Sequence, residues 1–122
     1  MKRLAKKALN KLRRYLIVRQ VRRAALPPFA AAPIVRRRYT FAGKVQKVGF
    51  RFELAELAKR LGLVGWCCNL PGGEVLAELQ GEAARIDFLV GFMHSLKRIR
   101  IDTMQIEELA VDEQTSQFLI SG

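Results

Sequence analysis

Gly43-Lys44-Val45-Gln46-Lys47-Val48-Gly49-Phe50-Arg51 separates a run of β-formers, Arg36 to Ala42, from Phe52-Glu53-Leu54-Ala55-Glu56-Leu57-Ala58-Lys59-Arg60-Leu61, whose apolar residues recur at helical spacing and stop at Gly62. The segment is thus a glycine-flanked turn leading out of a strand and into a helix. Backbone N–H groups at a helix N-terminus have no intrahelical partner, and the helix dipole favours an anion there. Arg51, at the mouth of the helix, adds a planar, permanently charged fork that matches phosphate geometry. A phosphate cradle built from Gln46, Lys47, Val48, Gly49, Phe50 and Arg51 is the expectation.

Outward from this loop, the pattern predicts a helix to about Leu61, a strand over Leu63–Asn69, the turn Leu70-Pro71-Gly72-Gly73 and a strand over Glu74–Leu79. A second helix from about Ala83 to Lys97, a strand over Arg100–Leu109 and a short strand near Gln117–Ile120 follow. Val75, Ala77 and Leu79 alternate with Glu74, Leu76, Glu78 and Gln80, which gives one apolar and one mixed face. Ile86, Leu89, Val90, Met93 and Leu96 supply the inner face of the second helix. The order is βαββαβ with an added edge strand. An α+β, ferredoxin-like sandwich closes it most economically: an antiparallel sheet with two helices on one face.

Upstream the composition changes. Residues 1–38 hold 13 Lys/Arg and no acid, whereas 39–122 hold 9 Lys/Arg against 11 Asp/Glu, so the net +11 belongs to the N-terminal segment. Leu4, Ala8, Leu12 and Leu16 lie four apart among basic residues, the pattern of a basic amphipathic helix, and Leu26-Pro27-Pro28-Phe29-Ala30-Ala31-Ala32-Pro33 ends it as a linker. The chain divides into a basic extension, residues 1–35, and one compact domain, residues 36–122. Nonspecific polyanion contact through residues 1–38 and no role in the domain are the two leading readings of this charge. No apolar run approaches the roughly 18 residues of a membrane-spanning helix. Adjacent Cys67 and Cys68 provide no disulfide framework and, with His94 the lone histidine, no metal-ligand spacing. A cytoplasmic monomer is expected.

The motifs, taken together, resemble the acylphosphatase family. Its signature Gly-x-Val-Gln-Gly-Val-x-Phe-Arg stands here as Gly43 to Arg51, and its Gly-x-x-Gly-Trp-Val-x-Asn as Gly62-Leu63-Val64-Gly65-Trp66-Cys67-Cys68-Asn69. A tight turn and an acidic strand then run from Pro71 to Gly81. The resemblance covers about residues 36–122 and implies hydrolysis of the carboxyl-phosphate bond of small acyl phosphates without metal or cofactor. It further implies that Arg51 binds the phosphoryl group and Asn69 orients the attacking water. The chemistry agrees with the residue types: phosphoryl transfer asks mainly for positioning and charge stabilisation, and a carboxylate leaving group with a conjugate-acid pKa of about 4 needs no general acid. An amide such as Asn69 cannot act as a base, so the water's proton goes to the substrate phosphate or to solvent.

Lys47 departs from the family's glycine. If the position requires φ > 0, lysine costs about 1–2 kcal/mol; if φ is negative, the change is tolerated. The alternative to a working hydrolase is therefore a weakened module that binds phosphate or nucleic acid without turnover. Outside the cradle the expectations are structural: Trp66 in the core behind the loop, His94 on a helix surface, and Glu107, Glu108, Asp112 and Glu113 on a solvated edge and turn.

Overall fold

The computed structural model describes residues 25–121. The expected basic helix over residues 2–25 lies almost wholly outside that range. Five strands and two helices follow the expected order: β1 Ile34–Lys44, α1 Phe50–Arg60, β2 Val64–Asn69, β3 Val75–Glu82, α2 Ala83–Ser95, β4 Arg100–Leu109 and β5 Phe118–Ser121. The strands lie in the order β4-β1-β3-β2-β5. β1 pairs antiparallel with β3 and β4, and β2 pairs antiparallel with β3. The last strand differs from the antiparallel expectation, because β5 runs parallel to β2 and makes the sheet mixed. The reason is topological: β4 and β5 occupy opposite edges, so residues 110–117 must cross the sheet before β5 begins. Through β1 and β3, β4 runs antiparallel to β2; the chain turns back after β4, so β5 runs antiparallel to β4 and therefore parallel to its new neighbour β2.

The helices cover one face. From the sheet, Tyr39, Phe41, Cys67, Val75, Ala77 and Leu79 meet Phe50, Leu54 and Leu57 of α1 and Ile86, Leu89 and Met93 of α2 in one buried cluster. Phe41 packs on Phe50 with ring centroids 5.0 Å apart and stacks with Tyr39 at 5.7 Å, so the first residue of α1 is anchored to β1. That contact fixes where the helix starts, and hence where the loop must turn.

On the open face, strand alternation places Arg36 and Arg38 beside Glu78 and Gln80. Arg36 donates to Glu78 Oε1 through Nε (3.1 Å) and Nη2 (2.9 Å), and Arg38 to Oε2 through Nε (3.0 Å) and Nη2 (2.8 Å). Burial alone would raise the Glu78 carboxyl, but the hydrogen bonds from Arg38 and Arg36 outweigh it and hold it below the usual carboxylate range. The crossing segment is pinned over this network: Gln80 Nε2 donates to the Asp112 carbonyl at 2.9 Å and Asp112 N–H donates to Gln80 Oε1 at 2.8 Å.

Two expectations change. Trp66 is half-buried on the open face opposite Glu78, because Gly65, Cys67 and Asn69 take the helix side of β2 and the residue between them must point away. The Pro/Ala run is held against the domain: Phe29 meets Phe88 of α2 edge-on at 5.5 Å, with the Arg85 guanidinium 4.9 Å from the Phe29 ring centre. His94 is exposed on α2, as expected. Glu107 and Glu108 are exposed on β4, where they pair with Arg38 (3.3 Å) and Arg37 (2.8 Å).

Candidate active site

The last residues of β1, before the loop, follow a bulge. Pairing of β1 with β4 shifts register between Ala42 and Gly43. Gly43 has φ 135°, and a Cβ there would run into the Arg100 carbonyl, so only glycine lets β1 pass this close to β4 at the bulge. The loop closes at Gly49, which has φ 79° and is the residue before the first turn of α1. Its carbonyl accepts the Glu53 N–H at 3.1 Å, which starts the helix.

Between these glycines lies Lys47, at φ 63° the one described non-glycine residue in the left-handed region. The loop therefore keeps the conformation that a glycine would adopt, and lysine carries a strain of about 1–2 kcal/mol to do so. Its side chain is exposed. Gln46 is turned toward the β2–β3 turn, where its Nε2 donates to the carbonyls of Leu70 and Glu74, both at 2.8 Å. That turn is itself closed by Leu70 N–H donating to the Glu74 carbonyl at 2.8 Å. One amide side chain thus stitches the cradle to the segment that follows Asn69. The Phe50 side chain is buried in the core, leaving its backbone as its only part on the loop side. Val48 packs against the core with its side chain, while its carbonyl accepts from Arg98 Nε at 3.0 Å.

Arg51 and Asn69 come to the same side of the sheet. Asn69 shares the helix face of β2 with Cys67, and Arg51 acts electrostatically on Cys67. Burial pushes the Cys67 thiol up to about 12 against the lowering influence of Arg51. Asn69 Oδ1 is buried and meets no protein donor. A buried amide oxygen without a partner is costly, which makes it a ready acceptor for a bound O–H group.

One pair was missed in the sequence. Glu53 is fully buried in the first turn of α1 and forms an ion pair with Arg98, whose side chain is 31% exposed. A signal was present: Phe50, Glu53, Leu54, Leu57, Ala58 and Leu61 form the buried stripe, so a carboxylate stands in an apolar row and requires a cation.

The acylphosphatase family model matches residues 37–120, which contain the whole of this site. The chain belongs to the acylphosphatase family. An acylphosphatase from Anaeromyxobacter dehalogenans is 42% identical over 74 residues, covering 60% of this chain and 80% of the relative. Solved acylphosphatases share the fold. The Coxiella burnetii structure aligns with a TM-score of 0.66 at 29% identity over 72% of this chain and 93% of its own. The Bacillus subtilis structure aligns at 0.67 and 24% identity over 72% of this chain and 99% of its own. The acylphosphatase match begins inside β1, so the basic extension lies outside it.

Proposed function

We propose that this acylphosphatase-family hydrolase cleaves the carboxyl-phosphate bond of small acyl phosphates at the cradle, with Arg51 and Asn69 as its catalytic residues. The observation that carries the reading is the glycine-like turn of residues 43–49, held at a helix N-terminus with Arg51 on the side that Asn69 also faces. Loop amides from Gln46 to Arg51 and the Arg51 guanidinium meet the charge that spreads over the equatorial phosphoryl oxygens. Asn69 Oδ1 accepts an O–H of the attacking water and aims its oxygen at phosphorus. The water oxygen bonds to phosphorus, the bond from phosphorus to the carboxyl oxygen breaks, and the electron pair leaves on the carboxylate. The water's proton passes to a phosphoryl oxygen, since an amide cannot hold it. No step calls on a metal or cofactor.

Lys47 is compatible with this reading, because its φ is already the one a glycine would supply. Its ammonium adds a positive charge to the exposed rim of the cradle. Steady-state hydrolysis of acetyl phosphate tests the assignment: Arg51→Ala should lower kcat/KM by about 10³-fold, and hydrolysis near the wild-type rate would refute it. A wild type that is inactive and rescued by Lys47→Gly would favour the binding-module alternative.

The setting of the enzyme belongs to the same proposal. A monomer in a reducing cytoplasm suits the two free cysteines, and among the described residues no helix is long and apolar enough to cross a membrane. Polyanion contact through residues 1–38 rests mainly on the extension itself, because Arg36, Arg37 and Arg38 are each paired with carboxylates of the domain. Salt-independent nucleic-acid binding, or binding that survives removal of residues 1–35, would sink that contact.

A further inference from the structure

The ion pair beneath the cradle serves more than stability. Arg98, from the connection between α2 and β4, reaches two places at once: the buried Glu53 carboxylate and, through Nε at 3.0 Å, the Val48 carbonyl. The Val48 carbonyl and the Gly49 N–H belong to one planar trans peptide, so they point in opposite directions. Holding the carbonyl on Arg98 therefore turns the Gly49 N–H away from Arg98. The next carbonyl, that of Gly49, is already engaged by the Glu53 N–H. Both carbonyls leading into the helix are thus directed into the protein, where they cannot repel a phosphoryl oxygen.

The loop needs such a hold. Lys47 at φ 63° and Gly49 at φ 79° flank Val48, and a left-handed lysine is strained. A flip of the 48–49 peptide would replace an N–H facing the anion with a carbonyl. Glu53 acts as the brace: it ion-pairs with the Nη2 end of the same guanidinium whose Nε donates to Val48. We propose that Arg98, braced by Glu53, is a positioning residue that keeps the Val48–Gly49 peptide in its anion-binding orientation. It touches no reacting atom, and the proposal rests on the reading of residues 43–51 as the phosphate site.

The test is a ¹⁵N–¹H titration of the full chain with inorganic phosphate, alongside hydrolysis of acetyl phosphate. In the wild type the Gly49 amide should move downfield as phosphate binds. In Arg98→Ala that movement should vanish while the Arg51 amide still responds, and both the phosphate Kd and KM should rise roughly tenfold, as for loss of one charge-assisted hydrogen bond. Arg98→Lys, which keeps the charge without the fork, should recover only part of the response. Should Arg98→Ala fail to fold, the double variant Glu53→Leu/Arg98→Leu fills the same space with apolar side chains and should show the same silent Gly49. A folded variant lacking Arg98 in which Gly49 responds to phosphate as in the wild type overturns the proposal. A wild type whose Gly49 responds without any turnover removes the catalytic reading and leaves this one standing.

Discussion

Glu53 and Glu78 are the two buried carboxylates among the described residues, and both are held by arginine from distant parts of the chain. Their surroundings differ. Glu78 sits in the middle of the sheet, with both oxygens gripped by Arg36 and Arg38 of the neighbouring strand. Glu53 sits at a helix start, and its arginine also holds the loop that forms the cradle. The same chemistry therefore does two jobs. Where both partners lie on rigid strands it fixes register; where one arm reaches a loop carbonyl it fixes the direction of a peptide. If the loop end binds phosphate as proposed, the open face serves stability and the loop end binding, and the two should respond separately to substitution.

The largest effect expected is at the loop end. Arg51→Ala should lower kcat/KM for acetyl phosphate by about 10³-fold, the scale of losing a main stabiliser of transition-state charge, while its urea midpoint changes little. The converse variant is Glu78→Gln, which leaves two arginines competing for a neutral amide. It should cost about 3 kcal/mol in urea unfolding, yet leave kcat unchanged at temperatures where the chain is folded. Loss of activity beyond the unfolded fraction would break the division between the two regions.

Titration sharpens the same contrast. The folded pKa of Glu78 is depressed, so its contribution to stability is present above the unfolded value of about 4.3 and is lost as pH falls through the folded value. Wild-type stability should decline below about pH 4, and Glu78→Gln should flatten part of that slope in acid unfolding followed by circular dichroism. Lys47→Gly should raise stability by about 1 kcal/mol by relieving the left-handed lysine, with a small rise in KM from the lost ammonium. Arg100→Ala removes an exposed pair with Asp102 and should leave the unfolding midpoint where it was.

The sequence carried the element order and the glycine-flanked turn before α1 because both rest on local signals. Alternation in Val75–Leu79, helical spacing from Phe52 to Leu61 and the glycines at 43 and 49 depend on neighbours in the chain. The side of the sheet that Trp66 takes was not local. Two parities fit the pattern Trp-Cys-Cys-Asn, and the larger aromatic suggested the core, but Cys67 occupies it. The direction of β5 depends on the strand order, which places β4 and β5 on opposite edges. The docking of Phe29 on Phe88 joins residues 59 apart, on a run whose prolines read as a linker. Arg98 lies 45 residues from Glu53 and carries no motif of its own, although Glu53 in an apolar stripe advertised the need for a cation.

Cys67 has a further consequence once the substrate is taken to be an acyl phosphate. Such molecules are acylating agents, and a thiolate beside the cradle would form a thioester and disable the enzyme by its own substrate. Cys67 is fully buried and burial pushes its thiol far above the ordinary range, so it carries little thiolate near neutral pH. The burial that opposes Arg51 at this position thus keeps Cys67 a poor nucleophile toward such a substrate. Prolonged incubation with acetyl phosphate should leave the mass of the Cys67 peptide unchanged, and an acetyl adduct there would show that the shield fails.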